Sequence, residues 1–379
     1  MRTPSTLNTF SNSSVAPNLH QNLKMNSSEQ LSPWLNSSTL PPISLLGLGM
    51  SCFTMTFGAI SNLAALGILA KSRFRFRRQF KTSFFLLTVA LLLADLGSHL
   101  IPGSFALYLH LVRFNMQTNV STMKICQIFG ASMVFFGLCP LLLGCVMAIE
   151  RCVAITQPFF HAAMITVVHV QRIVLFLSSI ALVLAVLPFF AVGSYTTQFP
   201  GTWCFLPLHG PHSTANTSLI LAFSCLGLTA LTLSLFCNIL SGLALLLARI
   251  RPHSVRSKSA GCSSRHASSP FLFCSLDLEM MVQLAVITVV SCVCWSPFLI
   301  QILVMQFNQS FSASAHGEDT IILLGLRMAS WNQILDPWVY ILLRKAVLFR
   351  VCCAFDARKP KLTAKHYFSD KRREAFSQQ

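Results

Sequence analysis

Seven long apolar runs, set apart by short polar and mostly basic segments, dominate the chain. They lie near residues 43–70, 83–112, 123–152, 170–194, 216–249, 278–307 and 320–345. Each exceeds the roughly 20 residues that cross about 30 Å of hydrocarbon as a helix. Lipid offers the backbone no hydrogen-bond partner, so such runs must bond internally, as helices do. The stretch from Ser218 to Ala248 carries no charge at all. The pattern predicts an all-α membrane protein, a seven-transmembrane helix bundle. The last run departs from the others: Arg327 lies well inside it, with Asp336 nine residues on. An arginine at such depth costs about 2.5–3.5 kcal/mol on insertion scales, and more when nothing pairs with it.

The polar segments set the expected topology. Of the 28 Lys and Arg, 23 fall in the first, second and third loops of one side and in the tail, six of them in "KSRFRFRRQFK" alone. Positive charge stays on the cytoplasmic face, which puts the amino terminus outside and the carboxyl terminus in the cytoplasm. The sequons at Asn12, Asn26, Asn36, Asn119, Asn216 and Asn308 all fall on the outside in this topology, where glycosylation occurs. Residues 1–42, rich in Asn and Ser with no apolar core of the kind a cleaved signal needs, are expected to form a disordered, glycosylated ectodomain. The membrane domain then spans 43–345, with a Ser-rich third inner loop at about 250–277, and 346–379 form a basic cytoplasmic tail.

Composition agrees: 54% of residues are hydrophobic, 10% charged, and the mean hydropathy is +0.63, where a soluble domain carries about 25% charge. The net charge of +17 does not indicate a nucleic-acid partner, because its placement records topology and contact with anionic membrane lipid.

Most of the fourteen cysteines lie within helices as small packing residues. Cys126, at the start of the third run, and Cys204, in the second outside loop, both face the oxidising side and are expected to pair. Cys352 and Cys353 follow the seventh run among basic residues, as palmitoylated cysteines do. Asp95 and His99 share a helix face, but a zinc site needs a third ligand, and no other helix offers a buried His. The same count disfavours a seven-helix zinc hydrolase, and the lack of internal repeats disfavours a transporter. Nothing calls for a cofactor. Glu150 and Arg151 lie about 25 residues beyond Cys126, roughly 37 Å along a helix, and so at its cytoplasmic end: an interfacial ion pair, or a latch that a partner opens. Pro297, two residues after Trp295, and Pro337 in "DPWVY" free backbone carbonyls and make hinges.

Asn62 in "GAISN", Asp95, the Cys126–Cys204 pair, Glu150–Arg151, "CWSPF" and "DPWVY" occur together in an order and spacing that resemble the rhodopsin-like G-protein-coupled receptors. "MAIERC", "DPWVY" and "GTWCF" look like the prostanoid branch. "FFGLCPLLLGCVMAIERCVAITQP" and "ASWNQILDPWVYILL" look most like prostaglandin E2 receptors of the first E-prostanoid subtype, then prostaglandin F receptors, with thromboxane receptors a further alternative. The resemblance implies a plasma-membrane, non-enzymatic receptor for a prostaglandin, acting through a heterotrimeric G protein of the Gq class and calcium release. It assigns Arg327 to the ligand carboxylate, a role that a guanidinium fork sheltered from water suits. It adds Thr202, with its neighbour Trp203, beside that carboxylate, and Ser51, His99 and Met133 as pocket-lining positions. Where the family commonly has a tyrosine near the outer end of helix two, this chain has His110, with Tyr108 two residues earlier. Trp295, Pro297, Asp95, Asp336, Pro337 and Tyr340 match the activation switch. Glu150 and Arg151 match the G-protein contact.

Overall fold

A computed structural model describes residues 45–75, 82–114, 121–190, 192–209, 213–250, 270–307 and 315–356. The helices are α1 (Leu45–Arg75), α2 (Thr82–Phe114), α3 (Ser121–Thr156), a short α4 (Pro158–Met164), α5 (Val167–Val186), α6 (Thr214–Ile250), α7 (Pro270–Phe307) and α8 (Ala315–Asp356). Six of them, all but α4 and α8, are long and apolar enough to cross a membrane. α8 is the seventh long helix of the bundle, and Arg327, Asn332, Gln333 and Asp336 make its apolar run the most polar of the seven.

Helix ends depart from the sequence expectation where a local residue decides. The fourth run was expected to stay helical to 194, but α5 stops at Val186 and a 3₁₀ turn follows over Leu187–Phe190. Pro188 within that turn has no N–H to extend the ladder. Thr166 caps the start of α5, its side chain accepting from the His169 amide. The seventh run was expected to end at 345, but α8 continues to Asp356. Pro102, Pro140, Pro297 and Pro337 all lie inside helices.

α3 runs through the middle of the bundle and packs against α2, α5, α6 and α7; α1 and α8 close the other side. Between α5 and α6 a hairpin forms, β1 (Thr196–Gln198) and β2 (Trp203–Phe205), antiparallel with Thr197 opposite Cys204. The hairpin lies at one end of the bundle and α4 at the other. Leu93, Leu100, Leu175, Val183, Phe236, Leu247 and Val289 are exposed along the outside, the apolar belt a lipid solvent requires. The tail 1–42, Asn12, Asn26, Asn36, Asn119, Asn308, most of the third inner loop and residues 357–379 lie outside the described residues. Cys352 and Cys353 fall in the last turns of α8, where the backbone alone is described.

Candidate functional site

At the hairpin end, several attachments fix the chain between α5 and α6. Gly193 has φ +101°, and a Cβ there would meet Asn216 Oδ1 at 2.7 Å. The close approach lets Asn216 accept the Ser194 amide at 2.9 Å. Tyr195 lies buried against Gly130 of α3 and donates to the Ala185 carbonyl at 2.7 Å. Burial pushes its phenol well above the usual range. Cys126 and Cys204 are joined as a disulfide, Cα–Cα 5.4 Å, which pins β2 to α3.

From the hairpin a column of aromatic rings descends into the bundle. The Trp203 indole N–H donates to the Phe199 carbonyl at 2.7 Å, and its ring meets Phe298 of α7 at 6.4 Å. Phe205 lies 5.2 Å from Phe223 and 5.9 Å from Phe298, which in turn lies 6.3 Å from Trp295. Edge-on contacts at these separations are favoured by the ring quadrupoles. Gly137 of α3 makes room for the lower rings, since a Cβ there would lie 3.2 Å from Trp295 and 3.3 Å from Phe223. Thr202, half-buried, sits in the hairpin turn beside Gly201, whose φ is +91°. Met133 is half-buried one turn from Gly137 towards the hairpin.

On the other side of the bundle, Ser51 Oγ of α1 lies 3.2 Å from His110 Nε2 of α2. The Phe53 ring lies 6.4 Å from Trp331 of α8, and Arg327 is one turn from Trp331 towards the hairpin end. That puts Arg327 at about the level of Ser51 and His110. Arg327 is exposed, on the stripe of α8 that includes Leu324 and Trp331, and forms no ion pair with another described residue. Tyr108, like Arg327, is on an outward stripe: it is 40% exposed, in line with Ile101 and Leu111 of α2.

Below lies a polar core. Ser98 donates to Gln333 Oε1 at 2.6 Å, Gln333 Nε2 donates to the Phe136 carbonyl at 3.2 Å, and Asn62 Nδ2 donates to the Gln333 carbonyl at 3.1 Å. One glutamine of α8 thus ties together α1, α2 and α3. His99, buried, lays its ring on Gly58 of α1. Asp95 and Asp336 are both buried in this core. Asn332 donates to Asp336 Oδ2 at 3.2 Å, and Tyr340 O–H reaches Met147 Sδ at 3.9 Å. Pro337 continues this buried face of α8, whereas Pro297 is exposed on α7. Among the described residues no group of three His, Cys, Asp or Glu is placed to hold a metal ion.

At the opposite end Arg151 forms a two-pronged ion pair with Glu150, both carboxylate oxygens engaged. The two side chains are 2% and 4% exposed. The guanidinium lies 5.0 Å from the Phe84 ring centre and reaches Met280 Sδ of α7. His161 of α4 lies 2.9 Å from Glu150 Oε1, so the segment after α3 folds back onto the pair. A buried charge without its partner is costly, and this pair is fully partnered.

A protein-family model, the 7 transmembrane receptor (rhodopsin family), matches residues 62–340. The chain belongs to that family. The human prostaglandin E2 receptor EP1 subtype is 42% identical over 349 residues, covering 83% of this chain and 84% of that receptor. The mouse EP1 subtype is 44% identical over 330 residues, covering 78% and 79%. The human prostaglandin F2-alpha receptor is 42% identical over 335 residues, covering 86% and 87%. This receptor is thus of the prostanoid branch, an integral multi-pass protein of the plasma membrane and not an enzyme. The crystal structure of squid rhodopsin superposes with a TM-score of 0.63 at 15% identity, over 81% of this chain and 80% of that one, a likeness of fold.

Gln333, His161, the Phe205–Phe298–Phe223 rings and a His209–Asp319 contact escaped the sequence reading. Gln333 had a signal, an amide three residues before a buried acid in an apolar run. The rings had none, because phenylalanine in a membrane helix is ordinary.

Proposed function

We propose that this receptor binds prostaglandin E2 and signals through a Gq-class G protein to calcium release, with its amino terminus outside and carboxyl terminus cytoplasmic. The observation that carries the reading is the 42–44% identity to prostaglandin E2 receptors of the EP1 subtype. Arg327, without an ion-pair partner among the described residues and level with Ser51 and His110, supports a carboxylate as its counter-ion. The ligand in this proposal spans the bundle from Arg327 to Thr202 and Trp203 on the hairpin, passing Met133, with His99 below it. The ligand's hydrocarbon tails fill the apolar space beside them. Agonist bound above Trp295 favours one of two bundle states by its differential affinity. The change opens the α7 side of the Arg151–Met280 contact, so that Arg151 meets the G protein.

A prostaglandin F receptor is the second reading, favoured by the 42% identity to the human F2-alpha receptor over a slightly larger share of this chain. Calcium release in transfected cells, dosed with prostaglandin E2 and prostaglandin F2α, separates them. Greater potency of E2 supports the proposal, greater potency of F2α supports the second reading, and no response with receptor at the surface contradicts both.

A further inference from the structure

We propose that His209 and Asp319 form a clamp that ties the hairpin segment to α8 and sets how long a ligand stays bound. The ligand part of this inference rests on the function proposed above; the clamp itself does not.

His209 Nε2 lies 2.7 Å from Asp319 Oδ1. An ionised carboxylate only accepts, so the imidazole N–H donates whether or not the ring is charged. Asp319 is 11% exposed and His209 31%. The carboxylate has therefore lost most of its water, and removing the imidazole would leave it poorly satisfied.

The place of the contact gives it a role. The attachments of this segment described above, Ser194 to Asn216, Tyr195 to Ala185 and Gly130, Cys204 to Cys126, and Trp203 and Phe205 to Phe298, run to α3, α5, α6 or α7, and none of them to α8. Asp319 belongs to α8, eight residues and about 12 Å along the helix before Arg327. His209 is five residues beyond Cys204. The stretch between disulfide and clamp is held on two different helices, and it carries Phe205, Leu206 and Leu208, all buried beneath it. The disulfide, the buried Phe205 and the bond from Gln198 Nε2 to the Leu206 carbonyl hold the near part of the strap, and the His209–Asp319 contact fixes its far end to α8. A ligand held between α8 and the hairpin leaves only when such a strap moves, so the contact acts on dissociation more than on association. His209 and Asp319 are positioning residues in this scheme, since they need not touch the ligand.

The test measures dissociation of tritiated prostaglandin E2 from full-length receptor in membranes, for His209→Ala, Asp319→Ala, the double variant, and the exchanged pair His209→Asp with Asp319→His. Each single variant is expected to release ligand about three to ten times faster, the range one such hydrogen bond supports. The double variant should be no faster than the singles, and the exchanged pair should recover most of the loss. Unchanged dissociation, or effects that multiply in the double variant, overturns the clamp. Thermal unfolding of the same four proteins without ligand is an independent arm. Non-additive loss with recovery in the exchanged pair is expected there too, and additive loss overturns the contact. If wild-type receptor at the surface retains no prostaglandin, the proposed ligand fails, and the unfolding arm still decides the clamp.

Discussion

Gln333 shows what a single side chain does in this bundle. Its amide accepts from Ser98 and donates to the Phe136 carbonyl, and its own carbonyl accepts from Asn62. Gln333→Leu removes the first two bonds while keeping the volume close. Interhelical hydrogen bonds in membranes average well below those in water, so the loss should come to about 1–2 kcal/mol. It would be seen as a lower unfolding temperature of solubilised receptor than Gln333→Glu, which keeps a side-chain acceptor for Ser98; equal loss in both would contradict the role. At the other end His161 holds Glu150, which holds Arg151. Since His161→Phe removes the outer bond and leaves the inner pair, agonist-free inositol phosphate should rise about two- to threefold, in line with one partly exposed bond. Glu150→Gln should raise it further. A fall in both variants at equal surface level would mean that the triad supports signalling instead of restraining it.

Among the elements, the seven helices were legible because lipid forces apolar runs of sufficient length into helices. Their ends were less so: Pro188 stops α5 eight residues short of the expected limit, and α8 continues past the expected limit at 345, through Arg350, to Asp356. The hairpin and α4 were not legible, since three-residue strands and a seven-residue helix leave no periodic signal. Asn216 illustrates the gap. Its sequon marks a glycosylation acceptor, but the residue is 8% exposed in the first turn of α6 and accepts the Ser194 amide. We expect Asn216→Gln to leave the gel mobility of the mature receptor unchanged before and after endoglycosidase, and to lower its thermal stability through the loss of that contact. A mobility shift equal to one glycan would show that the segment opens for modification. The Cys126–Cys204 bridge closes a separation of 78 residues. Cys126→Ser should cost about 2–4 kcal/mol and deplete receptor from the cell surface, measured by antibody binding to intact cells.

Taken whole, the molecule connects two ends through a shared interior. The aromatic column from Trp203 to Trp295 links the hairpin to α7, and Gln333 links α8 to the three helices around it. Met280 of the same α7 touches Arg151 at the far end. Among the motif residues that the sequence singled out, Asp95 and Asp336 are both buried, Trp295 ends the column, and Glu150 and Arg151 are paired. Tyr108 faces away because its helical phase differs from that of His110 by some 200°, a relation that spacing alone fixes once the buried face of α2 is known. Arg327 is the residue on which the functional reading turns. Its depth was visible in the sequence, but its freedom from any described acidic partner required the fold.

The most direct measurement is the affinity of prostaglandin E2 against its methyl ester, on wild-type receptor and on Arg327→Leu. A charge-assisted pairing worth about 1.5–3 kcal/mol predicts a preference of roughly 10- to 100-fold for the acid on wild type. That preference should collapse to near unity in the variant, through loss of affinity for the acid with the ester little changed. A preference that survives the substitution would contradict the account, placing the carboxylate on some other group and leaving Arg327 a lipid-facing cation.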